Sequence, residues 1–309
     1  LRLVGSEMCI RDSVYPDLAK AYQISQFDKP LCEHGWVELD NGKKIRLTRI
    51  HIEEDAGKLV HERGDTYVDY NRAGVPLIEI VTEPDFRSID EVREYVEKLQ
   101  ILMKYIGVSD AKMQEGSLRC DVNISVRPAG SDALGTRTEI KNMNSFKNLH
   151  DGLAYEICRQ AEVLEEGGII YQETRHWDPS AKRTIVMRVK ETADDYRLFP
   201  EPDLAPYDLS DEFIEGVRAK LPELPDEKAK RFESEFGLSA YDARHLVEHR
   251  STANFFEACM AEAADDSGKL AKPLANLIIN DVAAYANANG VSDLSLIHIS
   301  EPTRRSYIS

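Results

Sequence analysis

Glu79 stands at the centre of PLIEIVTEPD, residues 76–85, with Leu77 and Ile78 before it and Ile80 and Val81 after it. Apolar residues on both faces of a period-2 segment describe a strand covered on both sides. A carboxylate inside such a strand is costly unless it takes up a proton or has a cation or hydrogen-bond donors beside it. The bland alternative is an edge glutamate with its head in water. A second glutamate, Glu54, ends the strand candidate RIHIEED, 25 residues earlier. In that strand Ile50, Ile52 and Glu54 share one face and His51 and Glu53 the other. The strands and turns between the two glutamates could fold back, so that Glu54 and Glu79 could meet across a sheet.

Another polar constellation lies further on. EGSLRCDVNISVRP alternates cleanly, with Leu118, Cys120, Val122, Ile124 and Val126 on one face and Arg119, Asp121, Asn123, Ser125 and Arg127 on the other. The next strand candidate, GTRTEIKNMNSF, lines Arg137, Glu139 and Lys141 on one face and leads to Asn142, Asn144 and Ser145. A sheet floor carrying Arg, Asp, Asn, Glu and Lys suits a nucleotide and its metal, although a charged face of mixed sign is also ordinary surface. The usual phosphate loops, G-x-x-x-x-G-K-[ST] and G-x-G-x-x-G, are absent, as is the G-x-S-x-G elbow. If ATP is used, side chains and metal on a sheet must hold its phosphates. The histidines at 34, 51, 61, 150, 176, 245 and 249 show no metal-ligand spacing, and each reads as structural or surface.

These residues must be positioned by elements that the pattern also indicates. Residues 36–83 read as β, with a hairpin turning at Asn41-Gly42 and a further turn at Gly64-Asp65. Ser88 and Glu91 form a capping box that opens a helix with the stripe Val92, Tyr95, Val96, Leu99, Met103 and Ile106, stopped by Gly107. Another helix runs from about Asn148 to Glu166, followed by a strand at RTIVMRVK and a loop-like ETADDYRLFPEPDLAPYD. From Ser210 the periodicity is wholly helical, which places a domain boundary near residues 205–210. The expected fold class is α+β.

The 309 residues are enough for two domains with real cores. No apolar stretch is long enough to cross a bilayer and no secretory signal is evident, so a soluble cytoplasmic protein is expected, with no membrane partner. Five cysteines without C-x-x-C spacing argue for reduced thiols rather than bridges or zinc. A net charge of −16 argues against broad, non-specific binding to nucleic acid, though not against a local basic groove.

The two ends read differently from the rest. One stretch of DNA, read on its two strands, encodes both the segment from Gly5 to Arg11 and the segment from Ser295 to Glu301, as a sequencing-library adapter translated at both edges of a fragment would. Residues 1–13 and 294–309 are therefore expected to be non-native, and the native chain to be longer at both ends. The remaining organisation is a first domain over 14–207 and a helical one over 208–293.

Seven ordered segments, YPDLAKAYQISQFDKPLCEHG, RIHIEEDAGK, DYNRAGVPLIEIVTEPDFRS, KMQEGSLRCDVNIS, EIKNMNSF, MRVKETADDYRLFPEPDL and LPELPDEKAKRF, together resemble the GatB family, the B subunits of bacterial aspartyl/glutamyl-tRNA amidotransferases. The likeness runs from about Val14 to Leu294; Ala19 stands where that family usually has Pro. The resemblance implies an antiparallel-sheet cradle similar to glutamine synthetase and guanido kinases, followed by an all-α domain. It implies a ligase that uses ATP and Mg2+ to phosphorylate the side-chain carboxylate of Glu or Asp misacylated onto tRNA-Gln or tRNA-Asn. Ammonia released from glutamine by the amidase subunit GatA would then form the amide, with the small subunit GatC completing the complex.

By the same resemblance, Glu54 and Glu79 match two carboxylates that hold the active-site magnesium. Arg119, Asp121, Asn123, Glu139, Lys141, Asn142 and Ser145 become candidates for the nucleotide-facing sheet. Arg188, Asp195 and Arg197 are candidates for the phosphate or acceptor-end environment, or for a plain interdomain salt bridge. The family's other metal ligands, in a Gly-Leu-Glu-Val-His stretch, and its tRNA-gripping tail are missing from the sequence, so the isolated chain is expected to be inactive. Two other readings remain open: a non-catalytic tRNA-binding or assembly subunit, and a small-molecule carboxylate-amine ligase.

Overall fold

A computed structural model of the protein describes residues 16–20, 22–189, 198–263 and 267–288. Both expected adapter-like segments lie outside the described residues. The chain forms two compact units, one of residues 1–95 with 119–208 and the other of 96–118 with 209–309. The sequence reading assigns everything from 14 to 207 to one domain, whereas residues 96–118 pack within the second unit. The reason is the long apolar stripe of the first helix, whose later turns supply Ile101 and Tyr105 to the second unit's core.

The first unit begins with β1 (Gln23–Ile24), β2 (Cys32–Glu33), β3 (Trp36–Glu38), β4 (Lys44–Glu54), β5 (Lys58–Glu62), β6 (Asp65–Asp69) and β7 (Pro76–Thr82). The 11-residue β4 is the spine: β2, β3 and β7 all pair with it, all antiparallel. Its entry is the expected hairpin, in which Gly42 adopts φ 80° and its N–H donates to the Leu39 carbonyl at 2.8 Å. At the β5–β6 hairpin Arg63 and Gly64 both take positive φ, which places the turn one residue earlier than Gly64-Asp65. Among the described residues β7 pairs only with β4, which makes it an edge strand, and the exposure of Ile78 and Glu79 shows that it is not covered on both sides.

Helix α1 (Ile89–Tyr105) starts at Ser88, whose Oγ accepts from the Glu91 N–H at 3.2 Å. The capping box is only half made, because the Glu91 carboxylate accepts instead from the Arg87 N–H and from Lys43 Nζ. After it come β8 (Val122–Ile124), β9 (Thr138–Lys141), α2 (Phe146–Glu165), β10 (Glu173–Asp178), β11 (Arg183–Val189) and β12 (Leu198–Phe199). They form a second sheet in the order β11-β10-β9-β8, while β12 pairs with β1. The expected long strand over 115–128 keeps only Val122–Ile124 in its ladder, because a turn with Gly116 at φ 80° and Ser117 bonded to Lys112 precedes it. The expectation of an antiparallel sheet also needs correcting at one place. β9 and β10 run parallel because the 20-residue α2 carries the chain back before β10 starts.

Beneath that sheet α2 contributes a buried ionic cluster that alternation alone does not predict. Glu156, fully buried, accepts from Arg159 Nε at 3.0 Å, Gln160 Nε2 at 2.9 Å and Thr184 Oγ1 at 2.8 Å, and Arg175 lies 3.7 Å away. Gln160 also accepts from the Val126 N–H at 3.1 Å, which ties α2 to the chain just beyond β8.

The described elements of the second unit are all helical: the later turns of α1, then α3 (Asp211–Arg218), α4 (Pro225–Phe236), α5 (Ala240–Val247), α6 (Arg250–Glu262), α7 (Ser267–Asn276), a π-helical segment (Leu277–Val282) and α8 (Ala283–Ala288). Their core centres on Phe232 and Phe256, with ring centroids 5.1 Å apart, packed with Leu246, Ile278 and Tyr105. Gly237 at φ 64° ends α4, as a left-handed glycine cap should.

Removing Glu156 takes from Arg159 its nearest carboxylate and from Gln160 and Thr184 their buried acceptor, while Arg175 keeps Glu173 at 2.5 Å. Glu156→Ala is expected to cost about 3–5 kcal/mol, read as a lowered urea midpoint at unchanged slope; an unchanged midpoint would show the cluster to be dispensable.

Candidate functional site

β4 and β7 meet with His51 opposite Glu79, Glu53 opposite Leu77 and Glu54 opposite Pro76. Residues facing one another across an antiparallel pair share a face, and residues an odd number apart do not. Glu79 therefore shares a face with His51 and Glu53, and Glu54 lies on the other. Of the arrangements the sequence leaves open, this register is one that sets Glu54 and Glu79 on opposite faces of the strand pair. The residues sequence reasoning passed over are His51 and Glu53. The available signal was His51-x-Glu53, an imidazole and a carboxylate two apart on one strand face.

His51, Glu53 and Glu79 each bring one donor atom to within 4.8 Å of the others, as no other group of His, Cys, Asp or Glu does among the described residues. His51 Nε2 lies 3.0 Å from Glu53 Oε1 and 3.3 Å from Glu79 Oε2. Gln23 Nε2 donates to Glu53 Oε2 at 2.8 Å, and Ser25 bridges to Glu53 through the backbone. The trio is graded in depth: the side chains of His51 and Glu53 are 1 % and 6 % exposed, that of Glu79 48 %. Burial, and after it the charge of Glu53, hold the Glu79 carboxyl above the ordinary glutamate range. His51 and Arg49 pull it down, and Asp121 adds a further push upward.

Glu54 faces a different space. With Asp17, Lys20, Tyr22, Gln23 and Gly74 it lines a cavity of about 280 Å3. Lys20 Nζ lies 3.4 Å from Glu54 Oε1 and donates to Glu201 Oε2 at 2.9 Å.

The polar floor of the second sheet forms largely as the alternation indicates. Asn123 lies opposite Glu139, and Glu139 beside Thr174 on β10. Lys141 Nζ is 2.8 Å from Asp121 and 3.5 Å from Glu139, and Thr174 Oγ1 donates to Glu139 at 2.9 Å. Arg119 turns to Asp55, at 2.5 Å, where Arg72 also pairs. Asn142 takes φ 70° at the end of β9 and donates to the Trp177 carbonyl at 3.0 Å, while Ser145 caps α2 by accepting from the Asn148 N–H. Both thus have structural partners. Arg188 sits opposite Thr174 in the β10–β11 ladder, but its side chain, like Asp195 and Arg197 entirely, lies outside the described residues.

A model of the GatB/GatE catalytic domain matches residues 6–215. The chain belongs to that family. The B subunit of the aspartyl/glutamyl-tRNA(Asn/Gln) amidotransferase of Nostoc punctiforme is 54 % identical over 288 residues, covering 88 % of this chain and 58 % of that protein. The proteins of the same description from Shouchella clausii and Listeria welshimeri are 54 % and 53 % identical over 278 residues, covering 89 % of this chain and 57 % of theirs. The chain thus spans a little under three-fifths of the curated relatives it matches. Every residue of the acidic trio, the Lys20 cavity and the polar floor falls inside the GatB/GatE catalytic match, and helices α4 to α8 lie beyond it. Among the described residues no helix is long and apolar enough to cross a membrane.

The raised Glu79 carboxyl has a thermodynamic consequence for this GatB/GatE domain. A carboxyl whose folded value is raised leaves stability intact below the unfolded value and costs stability as pH rises through the folded one. At neutral pH the ionised Glu79 therefore opposes folding, weakly because it is half-exposed. Glu79→Gln is expected to raise the melting temperature of the metal-free chain by about 1–2 °C at pH 7 and by nothing at pH 3.5. Differential scanning fluorimetry across that range checks it, and a fall at pH 7 would contradict the assigned direction.

Proposed function

We propose that the chain is the carboxylate-activating part of a tRNA-dependent amidotransferase subunit acting in the cytoplasm. Its first unit is read as the glutamine synthetase- and guanido kinase-like cradle of that family, its second as the helical domain. The substrate is Glu or Asp esterified to tRNA-Gln or tRNA-Asn. A side-chain carboxylate oxygen attacks the γ-phosphorus of ATP, the bond to ADP breaks, and ammonia then attacks the acyl carbon and expels phosphate. GatA supplies that ammonia and GatC completes the assembly.

The observation that carries the reading is the half-exposed Glu79 backed by His51 and Glu53 on one strand face. The donor set fits a divalent cation, because carboxylates offer hard oxygens that magnesium accepts while leaving positions for phosphate and water. Glu79 would hold it, with Glu53 and His51 within reach. Bound there, Mg2+ supplies charge neutralisation at the phosphates. The chain's own contribution is positioning: phosphoryl transfer to a carboxylate needs no protein nucleophile. Lys141 and Asn123, on the polar floor, are the groups proposed to orient the nucleotide, with Asp121 and Glu139 fixing the lysine. Glu54 enters by another route, holding the Lys20 ammonium in its cavity.

The test is conversion of Glu-tRNA-Gln to Gln-tRNA-Gln by the full-length subunit assembled with GatA and GatC. Glu79→Gln is expected to lower the rate on the order of 100-fold while tRNA binding persists. Glu54→Gln should lower the rate and leave magnesium affinity in place. Wild-type rates in Glu79→Gln would remove the cation site from the chemistry, and activity on free glutamate would favour a small-molecule ligase.

A further inference from the structure

His51 is the one member of the trio whose role the proposed cation site leaves undecided, since an imidazole can ligate a cation or hold its ligands. We propose that His51 is a positioning residue for Glu79 and not a ligand; the inference rests on the reading of Glu79 as the cation's carboxylate.

The geometry carries it in three ways. First, the same nitrogen, Nε2, sits within hydrogen-bonding reach of both carboxylates, 3.0 Å from Glu53 Oε1 and 3.3 Å from Glu79 Oε2. A protonated Nε2 that donates to Glu53 has no lone pair left for a cation. Second, the remaining nitrogen, Nδ1, is buried and meets no hydrogen-bond partner. An imidazole that ligates through Nε2 carries its proton on Nδ1 and donates it to a carboxylate, a carbonyl or water. Nothing among the described residues stands ready to accept that proton. With the proton on Nε2, by contrast, the ring's donor is satisfied by Glu53, and Glu79 Oε2 stands 3.3 Å from the same nitrogen.

Third, the three side chains differ in access. His51 and Glu53 are all but sealed, whereas half of the Glu79 side chain is open to solvent, from which a cation with phosphates attached must arrive. The sealed pair is fixed from behind, by Gln23 donating to Glu53 and by the Ser25–Glu53 bridge. The result is a line of contacts, Gln23–Glu53–His51–Glu79, hydrogen-bonded as far as His51 and ending in a charge contact with an accessible carboxylate. His51 holds Oε2 of Glu79, and the second oxygen is the one presented to the cation. A hard, oxygen-seeking ion has no need of the imidazole as a ligand.

Mn2+, a paramagnetic stand-in for magnesium, tests this on the chain itself. Binding is followed by electron paramagnetic resonance, and directly bound nitrogen is sought by electron spin echo envelope modulation. The variants are His51→Gln, which keeps an N–H donor, His51→Leu, which does not, and Glu79→Gln; circular dichroism confirms that each is folded. His51→Gln is expected to bind Mn2+ within about threefold of wild type, with an unchanged nitrogen signal, and His51→Leu to bind about 10-fold or more weakly. Glu79→Gln should lose binding altogether. A nitrogen coupling present in wild type and lost in His51→Gln would make His51 a ligand and overturn the proposal while leaving the cation site standing. Undiminished binding in His51→Leu would also overturn it. Unchanged binding in Glu79→Gln would overturn the cation site and the proposal together.

Discussion

The pairing of His51 with Glu79 across β4 and β7 is the constraint on which the rest of the candidate site depends. Side chains alternate with period two, so slipping β7 by one residue against β4 would set Ile78 or Ile80 against His51 and turn Glu79 to the opposite face. The register also inverts the usual arrangement of a half-covered sheet. The face with His51 and Glu53 is the sealed one, while Ile52 and Ile78 on the other face are each about two-fifths exposed. Burying an imidazole and a carboxylate instead of isoleucines is costly unless each finds a partner. Gln23, the Ser25 bridge and the mutual contact of His51 and Glu53 provide those partners.

The second sheet solves a related problem with the opposite layout. Its polar face, with Asp121, Asn123, Glu139 and Lys141, is the more open one towards β8 and is closed at the buried Thr174, and its other face rests on α2. Held between α2 and β10–β11 is the cluster of Glu156, Arg159, Gln160, Arg175 and Thr184. Such a cluster adds less to stability than apolar packing of the same volume, but it penalises misplacement of any member. It therefore restricts how β10 can shift against α2, and through the parallel β9–β10 pairing it restricts where Glu139 and Lys141 stand. The charge of Asp121 is felt at Glu79, which links the polar floor to the acidic trio electrostatically.

Local chemistry is legible in the sequence wherever it is sufficient to decide the structure. The Asn41-Gly42 hairpin, the Ser88 start and Gly107 stop of α1, and the alternation of Asp121, Asn123, Glu139 and Lys141 all rest on residues a few positions apart. Register and burial are non-local, and they escape such a reading. PLIEIVTEPD by itself leaves open a buried glutamate or an edge glutamate with its head in water, and nothing in it names His51 as the residue opposite Glu79. The parallel β9–β10 pairing is hidden for the same reason: it depends on where α2 returns the chain, not on any residue of either strand. The trio itself needs a three-residue coincidence across two strands, of which only His51-x-Glu53 is contiguous.

On the proposed reaction, the depth gradient within the trio reconciles two demands that conflict in a single carboxylate. A cation ligand must be ionised and reachable, which favours solvent; it must also be fixed in direction, which favours burial. Exposure leaves Glu79 free to meet an ion but would ordinarily leave its rotamers free as well. Tying it to a sealed imidazole restricts the rotamer without sealing the carboxylate. The cost is the upward push on the Glu79 carboxyl from burial and from Glu53, and a divalent ion beside Glu79 reverses that push by stabilising the charged form. The strain on the ion-free site and the affinity of the site for a cation thus have one origin, two carboxylates held close together with a single imidazole between them.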